Sequence, residues 1–89
     1  MAVPANADLA TEQEGITTGT TSKKADFETQ CLGCVLHCTE DAHIAFDRAA
    51  NASDFLLKAD TMLMFPVKFT SVSAIQDSTS GTLYILAWR

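Results

Sequence analysis

The sequence predicts an all-β domain: a small antiparallel β-sandwich or compact barrel of about seven short strands, preceded by an extended N-terminal arm. Three observations carry that expectation. Leu32, Cys34, Leu36 and Cys38 alternate with Cys31, Gly33, Val35 and His37, and after Thr39-Glu40-Asp41 the alternation resumes with Ala42, Ile44 and Phe46 against His43, Ala45 and Asp47. That period of two is the period of a strand with unlike faces. Turn residues then break the chain every eight to twelve residues or so, and the last segment, TLYILAW, is an apolar run opened by Ser80-Gly81.

Taken in order, residues 1–15 form the arm and residues 16–89 the sandwich. The arm has only Val3 and Leu9 to bury among Ala, Asn, Asp and Glu. Alone it would be disordered or at most a transient helix over Ala7–Glu14, so a neighbouring subunit is expected to hold it through those two residues. Ile16–Phe27 is Thr-rich and polar, which suits an edge strand guarded by Lys23 and Lys24. Cys31–Cys38 and Ala42–Asp47 read as two strands joined by a tight turn. Asp47–Asp54 is a loop with room for one helical turn, Phe55–Leu57 a short strand, and Ala59-Asp60 a turn.

In Met62–Phe69, the residues Leu63, Phe65, Val67 and Phe69 share one face, with Met62 and Met64 opposite. Proline has no N–H for a ladder, so this strand lies at an edge or bulges at Pro66. A bend there would let one strand serve two sheets. Ser71–Ile75 stays extended, QDSTSG turns, and Thr82–Trp88 closes the chain. This strand is apolar on both faces, Tyr84, Leu86 and Trp88 on one and Leu83, Ile85 and Ala87 on the other, as in strands between two buried layers. A neighbouring subunit can supply the second layer. The expected core is Leu32, Leu36, Ile44, Phe46, Leu57, Val67, Phe69, Ile85 and Leu86. Phe65, Tyr84 and Trp88 are the expected contacts between copies, since large aromatics anchor interfaces.

Composition excludes several functions. Eighty-nine residues allow one small domain with a modest core. Six Lys plus Arg against eleven Asp plus Glu give a net charge of −5, with no basic face for nucleic acid. The start lacks the basic-then-apolar pattern of a secretory signal, and no stretch reaches the length of a membrane span. The expectation is a protein made in a reducing cytoplasm, where an odd count of three cysteines stays as thiols.

The sharpest chemical motif is Cys31-Leu-Gly-Cys34-Val-Leu-His37-Cys38. On a single strand Cys34 and Cys38 face one way and Cys31 and His37 the other, so they do not converge on a metal. Cys31 and His37 are about 20 Å apart along a strand, too far for a nucleophile pair. His37 and His43 are expected to be exposed or at an interface. Asp41, Asp47, Asp54 and Asp60 lack the spacing of a calcium loop and suit turns. Asn51-Ala-Ser53 matches a glycosylation acceptor that has no use without secretion. No catalytic residue, cofactor or metal ligand is expected. A small cysteine-based metal-binding or redox protein is the alternative from a different class, and metal content near one per chain would identify it.

The order GCVLHCTEDAHIAFD, SDFLLKADTMLMFPVKFTSVSAI, GTLYILAW resembles small virion proteins of tailed bacteriophages. Those chains run from an apolar strand and turn to a strand ending in Phe-Asp, a loop with a short leucine strand, a "PVKVTSI-A" strand and a final "L-ILAW" strand. The resemblance covers Gln30–Trp88 and leaves out the arm. It implies a non-enzymatic β-sandwich at the capsid surface of the virion, a decoration or cement protein. Its partners would be the major capsid protein and its own copies around a three-fold axis, as a homotrimer, without nucleic acid or membrane. A tail, head-to-tail adaptor or receptor-binding module of the virion is the runner-up. A particle protein would have to bury its three thiols against oxidation.

Overall fold

The computed structural model describes residues 12–89, and the expectations for Val3 and Leu9 fall outside them. The described residues form a two-sheet sandwich of eight strands: β1 (Glu12–Thr17), β2 (Lys23–Cys31), β3 (Gly33–Cys38), β4 (Ala42–Phe46), β5 (Phe55–Leu57), β6 (Met62–Phe65), β7 (Phe69–Gln76) and β8 (Thr82–Trp88). Sheet A has the order β1-β8-β3-β6 and sheet B the order β2-β7-β4-β5, with every pairing antiparallel. Strand β1 starts at Glu12, so the final residues of the expected arm already belong to sheet A.

Six of the seven connections move the chain between sheets, and four of them explain most departures from the periodic reading. The run Ile16–Phe27 is two strands rather than one, because the turn at Thr18–Ser22 sends β1 and β2 to different sheets. At Leu32 the chain leaves sheet B for sheet A, its N–H donating to Trp88 O (2.8 Å). Cys31 therefore does not oppose Cys34: it ends β2 in the other sheet and points into the same interior. Strands β3 and β4 are likewise not partners, since the bend at Thr39–Asp41 passes from sheet A to sheet B. Pro66–Lys68 makes the return crossing, as a bend at that proline allows, between edge strand β6 and strand β7.

The crossings also sort the core. Leu36, Leu57 and Phe69 are fully buried, Ile44 and Ile85 nearly so, and Phe46 packs against them half-buried. Leu32 and Val67 were expected inside but are 48% and 40% exposed, because both lie on crossings where neither sheet covers them. Leu86 shares the outward face of β8 with Tyr84 and is half-buried there, so the buried side of that strand is Leu83, Ile85 and Ala87. Phe27, Phe46 and Phe69 form the aromatic centre, Phe69 meeting the other two at 5.6 and 5.1 Å between ring centroids.

All three cysteines are buried thiols. Burial, reinforced by Cys31 nearby, pushes the Cys34 thiol up to about 12, which keeps it protonated and unreactive at neutral pH. The Cys38 thiol is also raised, chiefly by burial, and it donates to Leu57 O (3.4 Å).

The aspartates do turn work. Asp47 and Asp60 hold positive φ angles of 60°, a conformation that Asp tolerates better than most residues. Asp54 accepts from Asn51 N–H (2.8 Å) and from the Arg48 guanidinium. The Arg48 hydrogen bonds hold its carboxyl down to about 2. The loop from Asp47 to Asp54 contains turns and no helical residue.

Candidate functional site

Strand alternation fixes what the two outward faces carry. On sheet B, the outward side is covered over β4 and β7, while β2 carries exposed charge there. The 47–54 loop folds over it, burying His43, Ala45 and Ser73, and Ala50 N–H donates to Ser22 Oγ (2.9 Å). Beyond that cover lie ion pairs, Lys24–Asp26 (3.6 Å) and Arg48–Asp54.

His43 corrects the expectation of an exposed histidine. It is 8% exposed, with Nδ1 2.9 Å from Asp54 O and Nε2 2.8 Å from an Asp77 carboxylate oxygen. Both partners are acceptors, so both ring nitrogens donate only when the imidazole is protonated. The Asp54 carbonyl, followed by the Asp77 carboxylate, raises its pKa against the opposing effect of burial. A raised folded-state pKa contributes stability that is complete below about 6.5 and is lost as pH rises through the folded value. The unfolding midpoint is thus expected to fall between pH 6 and pH 9, and to fall less in Asp77→Asn; equal slopes in urea titrations of the two proteins would remove the assignment.

Sheet A presents the opposite surface. Register places Tyr84, His37 and Met62 in one outward row and Leu86, Val35 and Met64 in the next. Tyr84 is 53% exposed and Met62 and Met64 more so, and no loop among the described residues crosses them. None of these side chains carries a formal charge when His37 is neutral. Gly15 pairs with Tyr84 and adds no side chain, leaving a shallow trough of about 670 Å³ over Val35, His37, Met62, Tyr84 and Leu86, with Glu14 and Ile85 also lining it. The His37 and Tyr84 rings stack at 6.2 Å with 19° between planes.

Trp88 extends the face at its far end, opposite Gly33. Its indole lies on that glycine: a Cβ there would be 2.8 Å from Cε2 and 3.1 Å from Phe65 O. Gly33→Ala is expected to lift the indole off the sheet at a cost of about 1–3 kcal/mol. Trp88 is the only tryptophan, so its emission reports the displacement directly; an unchanged spectrum and urea midpoint would refute the contact.

Of the residues expected to contact other copies, Tyr84 and Trp88 lie on this face. Phe65 points the other way on β6, half-buried against Phe46 (5.6 Å) and edge-on to Phe55 (5.8 Å). The sequence reading missed that Val35, His37, Met62 and Met64 join Tyr84 and Leu86, because cross-strand register is not written in any single strand. The apolar character of both faces of β8 was the available signal. Among the described residues no group of three or more His, Cys, Asp or Glu could hold a metal ion, and no helix is long and apolar enough to cross a membrane. Comparison with known proteins found no matching family model, no significantly similar curated protein and no significantly similar solved structure.

Proposed function

We propose that the protein is a non-enzymatic structural component of a tailed-phage virion, made in the host cytoplasm and carried on the capsid surface. There it decorates and stabilises the shell by bridging major capsid protein subunits. The observation that supports this reading best is the apolar outer face of sheet A, which no loop among the described residues crosses and which has one carboxylate, Glu14, beside its trough, set against a sheet B whose outward side is covered over β4 and β7 and charged along β2. A chain of net charge −5 that spends its few basic residues elsewhere leaves this face for apolar contact, and contiguous exposed apolar surface marks interaction sites. The resemblance of Gln30–Trp88 to small virion proteins supplies the setting, and the N-terminal segment would lie along the shell.

Mixing the purified protein with empty particles of its source and sedimenting them tests the reading. Co-sedimentation in large copy number is expected, and Tyr84→Lys, a surface change that leaves the core intact, is expected to abolish it. Trp88→Ala should weaken it as well. Protein that stays in the supernatant would favour the tail or adaptor module. Undiminished binding of Tyr84→Lys would take the contact away from this face.

A further inference from the structure

Among the described residues, one edge of sheet A differs from the charged edges in carrying only apolar side chains. Natural edge strands are blunted by charge, by proline or by brevity. Strand β2 carries Lys23, Lys24, Asp26 and Glu28, β1 carries Glu12 and Glu14, and β5 has three residues. Strand β6 is Met-Leu-Met-Phe, four residues that end at Pro66 and carry no charge along the edge before Lys68. Five of the seven large exposed hydrophobic residues (Phe55, Met62, Leu63, Met64, Val67) belong to this edge or border it, so the exposure is concentrated rather than scattered.

The backbone of β6 is directed for pairing. Thr39 N–H donates toward β8, to Thr82 O (3.0 Å), while Cys38 O accepts on the other side from Asp60 N–H (2.8 Å). Backbone groups alternate sides along a strand, so Cys34 and Leu36 direct theirs at β6, opposite Phe65 and Leu63. Met62 and Met64 consequently direct their N–H and C=O groups out of the sheet.

We infer that two copies of this chain pair β6 to β6, antiparallel, about a two-fold axis at Leu63, joining their A sheets into one. In that register Met62 of one copy and Met64 of the other exchange both backbone hydrogen bonds, and the reverse pair repeats them. Leu63 meets its own copy on the inner side, beside Phe55 and Phe65, while Met62 and Met64 continue the outer face from one molecule to the next. A second copy fits because the contact is self-complementary, as a two-fold interface requires. It also brings two chains of net charge −5 together along a line with no charged side chain. Pairing β6 with β1 of a neighbour would instead set Glu14 beside Leu63 on the inner side. The exposed parts of the five side chains amount to on the order of 1,000 Å² over two copies, near the size of the smallest specific interfaces; with Met62 and Met64 left on the outer face only part of that is buried, so the backbone hydrogen bonds carry much of the contact. The unit of self-association is then a pair, not the three-fold cluster that the resemblance implies. The pairing uses the β6 backbone and the inward Leu63, and the shell contact uses the outer face; Met62 and Met64 belong to both, and the inward Leu63→Lys separates the two readings.

The test is native mass and amide hydrogen exchange of the full chain over a dilution series. A dimer is expected, with Met62 and Met64 amides protected at high concentration and exposed on dilution. Met64→Pro removes an outward N–H and leaves the β3 ladder its donors; Leu63→Lys puts two like charges at the axis. Both are expected to shift the mass to monomer, and Leu63→Lys keeps the test if the proline variant fails to fold. A wild-type monomer, a trimer, a dimer that survives either folded variant, or one broken by Tyr84→Lys while both edge variants remain dimeric, would overturn the pairing. Binding to empty particles by the monomeric variants is read separately and bears only on the shell contact.

Discussion

Phe69→Ala is expected to lower stability by about 3–5 kcal/mol, the usual cost of emptying a fully buried phenylalanine site. Phe69 is 0% exposed and is the first residue of β7 after the crossing, touching Phe27 from β2 and Phe46 from β4. Its loss therefore unties three strands of sheet B at once. A domain of this length has about 5–10 kcal/mol in total, so the urea midpoint should fall by roughly half or more at constant slope. Trp88 emission gives the transition, since that residue is on sheet A and reports global unfolding. Phe69→Leu keeps most of the volume and should lose less than half as much. A loss under about 1 kcal/mol for the alanine variant would mean the site collapses around the gap and is not the aromatic centre described here.

The strands were legible because short-range alternation encodes them. Thr82–Trp88 and Phe55–Leu57 have the bounds that the apolar runs suggest, and Pro66 marks a crossing for the reason that proline resists a ladder. Crossings without a proline were not legible. Nothing in Leu32 distinguishes a residue in mid-strand from one at a switch between sheets, so the period of two was carried straight through it and put Cys31 and Leu32 on the wrong sides. The same applies to Thr39–Asp41, where a bend between sheets and a hairpin turn use the same residue types.

The candidate face was half legible. Tyr84 and Trp88 stand out as aromatics on a strand apolar on both sides, whereas His37, Val35 and Met62 reach them only through register, which is set by which strands become neighbours. The burial of His43 was hidden for a related reason. Its partners, Asp54 O and Asp77, come from two loops 11 and 34 residues away in sequence, and no local pattern announces that both will close over one imidazole.

Asp47 is the second residue whose loss should be large, because it holds the end of β4 to the start of β7 just after the chain has changed sheets. Its N–H donates to Ser71 O (3.0 Å). One carboxylate oxygen accepts from Thr70 N–H (2.7 Å), Ser71 N–H (3.0 Å) and Thr70 Oγ1 (3.1 Å). Its φ of 60° adds a second demand. Asp47→Ala removes the acceptor and puts a side chain with no local hydrogen bond into the left-handed region, for a loss of about 2 kcal/mol after allowing for exposure of the bonds to water. Asp47→Gly relieves the backbone and not the acceptor, while Asp47→Asn keeps an acceptor and tolerates the φ, so stabilities should rank Asn above Gly above Ala. The Thr70 and Ser71 N–H bonds lower the Asp47 pKa against the effect of burial. A depressed folded-state pKa gives stability that is present above about 3.9 and is lost as pH falls through the folded value. The wild type should therefore lose part of its advantage over Asp47→Asn between pH 5 and pH 2, and a gap that stays constant across that range would show that the carboxylate charge contributes nothing to the closure.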